Sequence, residues 1–394
     1  MSLAVGTGYV FAALAVIGIG YQLTALAALR RFFARTAKRP APIGAGQQAV
    51  TLLKPLHGAE PRLADNLAGF LDQHYAGPVQ AVFGVGHADD PAVATVTALR
   101  RAHPLADIAL TTGPRLAGAN AKIGNIAAMM AATRHDILVL SDSDMMVGPD
   151  YLATLLAALD APGIGAVTCL YNGRGDAGVW SAISAAAISY TGLPNMVMGL
   201  STAIAQPCMG STIAIRRETL EAIGGFARFA DVLADDYAIG DAVAALGLKV
   251  AVPPMLLTHA CADTSFSALW HHHLRWSATI RAVAPKRHAG SGVTHALAFA
   301  LLATIFLPLP GAALIVLALA ARLLVAHSAD RIGGVRSRFI CLLPIADCLE
   351  FAVYITSLVT RKIDWRGSQL RIVGNGRIAD RNPPTPNTST SEIS

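Results

Sequence analysis

Charge is scarce in this chain. Charged side chains make up 14% of its 394 residues, against about 25% in an ordinary soluble domain. Hydrophobic residues reach 54%, so the composition reads as a membrane protein with a sizeable water-soluble part. Cysteine is scarce too. Five are scattered at positions 169, 208, 261, 341 and 348 with no C-x-x-C pair, which argues against a disulfide framework and a cysteine zinc site and leaves free, buried thiols. The 31 basic residues outnumber the 25 acidic ones, but they gather at 30–39, 331–338 and 361–377, each cluster flanking an apolar segment. That is how membrane-edge charge is distributed, and it matches a nucleic-acid groove poorly; no nucleic-acid partner is expected. No internal repeat is evident.

What is there begins with an uncharged stretch, residues 3–29, longer than the about 20 residues a bilayer requires. It lacks the positive start and short core of a signal peptide. The "RRFFARTAKR" that follows places the next region on the cytoplasmic side. Residues 1–30 are therefore expected as a transmembrane anchor and 31–47 as a basic linker. From 48 to 260, short apolar runs ("AVTLLKPL", "VQAVFGVG", "DILVLSD", "IGAVTCLY") alternate with helical stretches such as "PAVATVTALRRA" and "NAKIGNIAAMMAATR". This alternation predicts an α/β domain, 48–290, with a mostly parallel, Rossmann-like sheet. Residues 291–360 turn apolar again. There the stretch around Pro308 and Pro310 reads as one kinked span or a tight hairpin, and 339–360 as a further span. Residues 361–380 close the cytosolic part, and the polar, Pro-rich 381–394 is expected to be disordered.

Chemistry concentrates at strand ends. The run Ile137–Leu140 stops at Asp142 and Asp144, and two carboxylates spaced i, i+2 past a strand suit one hard cation such as Mg²⁺ or Mn²⁺; solvated turn aspartates are the plainer alternative. Asp89 and Asp90 follow another apolar run, where Asp90 can cap the helix that Pro91 opens. Asp235 and Asp236 head a helix with apolar positions Ala238, Ile239, Ala242, Val243 and Leu246. They either favour the helix dipole or supply a general base. In "HHHLRW", 271–276, Arg275 offers a fork for a diphosphate and Trp276 a flat wall. The strongly apolar 180–206 reads as interfacial helices bordering a lipid entrance, with a buried core pair as the alternative.

In order and spacing, "LLKPLHGAEPRLADNL", "HADDPAV", "NAKIGN", "SDSDM", "MGSTIAIRRETLEAIGGF", "LADDYAIGDA" and "HLRW" resemble the ceramide glucosyltransferase family, more narrowly its bacterial, hopanoid-biosynthesis-associated branch. "IDWRGSQLRIVGNG" resembles the family's closing motif. The resemblance implies a GT-A-type glycosyltransferase fold flanked by membrane helices, a UDP-sugar donor, inversion at the anomeric carbon and a membrane-lipid acceptor. Residue by residue it implies that Asp90 lies at the uridine and that Lys122 and Asn125 line the nucleotide side. It further implies that Asp142 and Asp144 hold metal and diphosphate, that Asp236 is the catalytic base, and that His272, Arg275 and Trp276 belong to the Q/R-x-x-R-W motif. His272 stands where relatives have Gln or Arg, and Asp235 where they more often have Glu. The expected reaction moves N-acetylglucosamine from UDP-GlcNAc onto a hopanoid polyol such as bacteriohopanetetrol. A ceramide or other glycolipid glucosyltransferase using UDP-glucose, and a processive polysaccharide synthase, are the rivals. The expected location is the bacterial inner membrane, multi-pass, with the catalytic domain facing the cytoplasm.

Overall fold

The computed structural model describes residues 3–34, 47–113, 116–202, 208–334, 340–360, 362–365, 368–373 and 377–380. Most of the expected basic linker and the expected tail, 381–394, lie outside the described residues. Ten strands precede the last membrane helices: β1 (Val50–Pro55), β2 (Val79–Val85), β3 (Asp107–Thr112), β4 (Ile137–Ser141), β5 (Met145–Met146), β6 (Ile164–Thr168), β7 (Leu170–Gly175), β8 (Thr212–Arg216), β9 (Lys249–Ala251) and β10 (Leu256–Cys261). One sheet runs in the order β3-β2-β1-β4-β8-β6-β9 and a smaller one in the order β5-β10-β7. In the large sheet only β8 is antiparallel, to β4 on one side and β6 on the other. This is the mostly parallel layout that the alternation predicts.

The unbroken apolar run in β4 has a simple cause. Ile137 and Val139 enter one core with Leu52, Phe83 and Leu155, while Leu138 and Leu140 enter another with Leu53, Val82 and Ile213. Successive side chains point to opposite faces, and both faces are covered by helices, so no position faces solvent. "IGAVTCLY" does not form a single strand. Thr168 Oγ1 bonds both the carbonyl and the N–H of Met209, at 2.9 Å each, and the chain crosses there from β6 in one sheet to β7 in the other.

Among the described residues, three helices are long and apolar enough to cross a membrane: Leu3–Ala34, Pro308–Gly333 and Ile340–Ser357. The first, with 32 residues, is about 48 Å long. Ala296–Phe306 passes the same test only together with Pro285–Thr294, from which it is bent by 59°. Around Pro308 the hairpin reading holds: Ala296 and Leu297 fold back onto Ala318 of the next helix. Gly18 permits a close approach between helices, because a Cβ there would meet the Val293 carbonyl oxygen at 2.7 Å and Ala296 Cβ at 2.8 Å.

In the described part of the segment 180–206, residues 180–202, most positions are buried among other helices, as the core alternative expects. Ser181 through Tyr190 are all buried, and Ile183, Ala186, Tyr190, Leu193 and Val197 pack with Leu29, Ala326, Ala329, Leu343 and Ala346. The membrane helices themselves cover this segment, and Arg322 fastens it by donating to the Tyr190 carbonyl (2.7 Å) and to Asp347 Oδ2 (2.9 Å). Residues 203–207 lie outside the described ones. The closing motif forms three antiparallel strands, β11 (Lys362–Trp365), β12 (Ser368–Val373) and β13 (Arg377–Asp380). It returns to the catalytic side, where the Ile378 N–H donates to the Asp231 carbonyl (3.0 Å) and Ile378 packs on Leu233 and Ala278.

Candidate active site

The carboxyl ends of β1 and β4 and the start of β8 meet at one edge, where ligands bind in open α/β sheets. Past β4 the chain turns at Asp142–Asp144, and this turn rests on Lys54 from β1. Lys54 is fully buried; its Nζ donates to the Asp142 carbonyl at 2.6 Å and to Ser141 Oγ at 3.3 Å and lies 3.5 Å from the Phe70 ring centroid. Burial pushes the amine down to about 7, against the pull of Asp142 and Asp144.

Asn120 caps the helix Ala121–Met129: its side chain accepts from the Ile123 N–H. It also donates to the Val232 carbonyl (2.8 Å) and to Asp235 Oδ1 (3.2 Å). That cap fixes Lys122 one step into the helix, with Nζ 2.6 Å from Asp142 Oδ1 and 3.7 Å from Asp235 Oδ2. Burial works against the Lys122 charge, yet Asp142 and Asp235 hold its pKa well above the ordinary lysine range. Asp235 and Asp236 open the helix Asp235–Ala245, whose expected apolar face is buried at Ile239, Ala242 and Val243, while Leu246 is exposed. Asp236 Oδ2 accepts from the Gly210 N–H at 2.7 Å, and Oδ1 accepts from the Tyr237 N–H at 2.8 Å. Burial and the neighbouring Asp235 raise Asp236 to about 6, opposed by Lys122 and by these two backbone donors. Gly210 separates Asp236 from Asp142: a Cβ there would lie 3.2 Å from Asp236 Oδ2 and 3.6 Å from Asp142 Oδ2.

On the other side, His259 from β10 sits with Nε2 3.2 Å from Asp144 Oδ2. Burial opposes both charges, but each partner favours the other: the carboxyl of Asp144 is held well below its ordinary range and the imidazole of His259 well above it. Asp144 Oδ1 is buried with no hydrogen-bond partner among the described residues. An orphaned carboxylate oxygen and a second carboxylate two residues away make a donor set that fits a divalent cation of the Mg²⁺ or Mn²⁺ kind.

The helix Phe266–Val283 forms the roof. Lys122, Asn125, Asp142, Asp144, Asp236, His272, Arg275 and Trp276 all line one cavity of about 680 Å³. Asp90 is not among the lining residues; its Oδ1 accepts from the N–H groups of Gly58 and Ala92, both at 2.9 Å, so it does the capping that its sequence position allowed. Asp90 approaches the cavity only through His57, which does line it, at 3.7 Å. Asn125 is mostly committed to the fold, donating to the Gly84 carbonyl at 2.8 Å. Lys54, His259 and Tyr171, the last two lining the same cavity, were not singled out from sequence. The available signals were a lone lysine inside "TLLKP" and a lone histidine inside "LLTHAC", each a polar residue in an otherwise buried strand.

A mostly parallel sheet whose switch edge holds a D-x-D pair, a helix-borne carboxylate opposite and an Arg-Trp roof defines a glycosyltransferase of the GT-A fold. The chain belongs to glycosyl transferase family 21, whose family model matches residues 10–378. It is 25% identical over 239 residues to ceramide glucosyltransferase 3 of Caenorhabditis elegans, covering 58% of this chain and 49% of that one. It is 28% identical over 156 residues to a ceramide glucosyltransferase of Komagataella phaffii, covering 37% and 30%. The chain spans about half the length of the nematode relatives it matches. Among solved structures, the mannosyltransferase PcManGT of Pyrobaculum calidifontis shares the fold at a TM-score of 0.50 and 19% identity, over 88% of this chain and 99% of that one.

Proposed function

We propose that this protein is a membrane-bound inverting glycosyltransferase that moves a sugar from a UDP-sugar onto a hydroxyl of a membrane lipid. The observation that carries this reading is the placement of Asp236 across Gly210 from the Asp142–Asp144 pair, in one cavity. Asp142 and Asp144, with His259 beside them, would hold Mg²⁺ or Mn²⁺, which when bound neutralises a leaving diphosphate. Lys122 supplies fixed positive charge next to Asp142, and Arg275 supplies it from the roof, where charge develops during bond breaking. Trp276 gives the sugar or base a flat apolar wall. Asp236 takes the proton of the attacking hydroxyl, and a carboxyl raised to about 6 is a better proton acceptor than an ordinary aspartate while still ionised at neutral pH. Lys122 and Asn125 face the nucleotide, with Asp90 behind His57 on the uridine side.

In this reading residues 48–290 form the catalytic unit facing the cytoplasm of a bacterial inner membrane, anchored by 1–30 and 291–360. The donor is UDP-GlcNAc and the acceptor a hopanoid polyol; both rest on the sequence resemblance. The relatives are ceramide glucosyltransferases, which supports a lipid acceptor, and the PcManGT complex contains GDP-mannose and Mn²⁺. Lipid mass spectrometry of cells with and without the gene tests the reading. A hexosamine-bearing polyol lipid absent from the deletion strain supports it, and an unchanged glycolipid profile overturns it.

A further inference from the structure

The roof of the cavity carries a second carboxylate–imidazole pair that the mechanism above leaves unused. Asp263 lies in the loop between β10 and the helix Phe266–Val283 and is 8% exposed. His272 Nδ1 lies 3.2 Å from Asp263 Oδ1 and 3.4 Å from Oδ2. A carboxylate only accepts, so Nδ1 carries the proton, and in the neutral ring Nε2 is then an acceptor. Burial, together with His273 and Arg275, pushes His272 below its ordinary pKa despite Asp263. The ring stands edge-on to Trp276 at 4.3 Å, 6.2 Å from the His259 ring, and lines the cavity. No hydrogen-bond partner of Nε2 occurs among the described residues.

Asp263, His272 and His273 offer ligand atoms within 4.8 Å of one another, but they do not make a metal site. Both nitrogens of His273 are taken, Nδ1 by Glu350 at 2.6 Å and Nε2 by Ser184 at 2.7 Å. An exposed lone pair also disfavours the diphosphate of a nucleotide sugar, which at neutral pH is fully ionised and has no proton to give. It suits a hydroxyl. The His273–Glu350 contact joins this wall of the cavity to the membrane helix Ile340–Ser357, whereas Lys122 and Asn125 line the wall built from the sheet's first strands and the helix beside them.

We propose that His272 Nε2 accepts a hydrogen bond from a hydroxyl neighbouring the reacting one on the lipid acceptor, so that the Asp263–His272 pair selects polyol head groups over single alcohols. The inference rests on the functional reading above and names the side chain that recognises its polyol acceptor. His272 is then a binding residue and Asp263 a positioning residue that sets the tautomer.

The test uses the full chain in detergent micelles with UDP-GlcNAc and, separately, UDP-glucose, in Mn²⁺, comparing a long-chain alkane-1,2-diol with the primary alcohol of equal length. His272→Leu and Asp263→Asn are expected to lower the diol-to-alcohol ratio of kcat/KM by about tenfold, the equivalent of one hydrogen bond, with the donor KM within about threefold. His272→Gln, which restores an acceptor oxygen, recovers most of the ratio, and His272→Arg, a pure donor, does not. An unchanged ratio, or a loss that falls on the donor KM, overturns the proposal. A second readout needs no turnover: histidine ¹⁵N NMR is expected to show a bare Nε2 on His272 that shifts when diol micelles are added. A protonated Nε2, or one blind to the diol, also overturns it. Should neither donor give transfer in the parent, the functional reading fails, and the NMR titration still decides the role of His272.

Discussion

Lys122 Nζ lies 2.6 Å from Asp142 Oδ1 and 3.7 Å from Asp235 Oδ2, so one ammonium group joins the D-x-D turn to the helix that carries Asp236. The lysine holds together two elements far apart in sequence and neutralises carboxylates that would otherwise repel. Lys122→Met is expected to raise the KM for UDP-sugar by at least about tenfold, a charge-assisted contact being worth roughly 1.5–3 kcal/mol. It is also expected to lower the Tm, because Asp142 and Asp235 are left facing each other. Mn²⁺ should raise the Tm of the variant more than that of the parent, since the cation replaces the missing charge. Thermal melts with and without Mn²⁺ check this; equal shifts would contradict it.

Asp236 is raised to about 6 by burial and by Asp235. Below that pH it is protonated and cannot accept the hydroxyl proton, so kcat should rise with pH through about 6 and then level. Asp236→Asn should lower kcat by about 10²–10⁴-fold and leave UDP affinity within a few-fold. The sign for stability is the reverse. A carboxyl whose folded pKa exceeds its unfolded one favours folding at low pH and loses that contribution as pH rises from about 4 to about 6. At pH 7.5 the asparagine variant should therefore melt no lower than the parent. A several-degree drop in Tm would assign Asp236 a structural role instead.

Lys54 supports the D-x-D turn from below through the Asp142 carbonyl and Ser141 Oγ. Lys54→Ala leaves that carbonyl with only the long contact from the Met145 N–H (3.4 Å) and opens a void, a combination that costs about 3 kcal/mol or more. Chemical denaturation should report a loss of this size, and any surviving protein should show weakened Mn²⁺ binding.

Excess chelator should abolish transfer, and either Mg²⁺ or Mn²⁺ should restore it. Asp144→Asn should weaken Mn²⁺ binding measured by calorimetry in the presence of UDP; because it also removes the ion pair with His259, the binding is read on folded protein well below the variant's Tm. Full activity in chelator would remove the cation from the account.

Much of this architecture was legible because its strands are buried on both faces. Continuous runs such as Ile137–Leu140 cannot be solvent-facing, and the aspartates that end them stand out. Asp236 and Lys122 were legible as members of ordered motifs. Lys54, His259 and Asp263 were not, because their significance is purely spatial: each belongs to an element remote in sequence from the D-x-D turn or sits in an unremarkable loop. Asp90 shows the converse, a motif residue whose carboxylate spends its hydrogen bonds on Gly58 and Ala92. For the segment 180–206 the sequence left an interfacial and a core reading open, because apolar composition alone does not distinguish a helix facing lipid from one covered by other helices; in its described part, 180–202, residues such as Leu29, Ala326 and Leu343 do the covering.

The central claim is transfer of a sugar to a lipid hydroxyl. The most direct measurement follows UDP release by the full chain in detergent with UDP-GlcNAc or UDP-glucose and Mn²⁺, with and without an extract of polyol membrane lipids, and determines the anomeric configuration of the product. The account predicts release that depends on lipid and a glycolipid whose anomeric configuration is inverted relative to the donor. Release that is equal without lipid, or a soluble sugar polymer as the product, would contradict it.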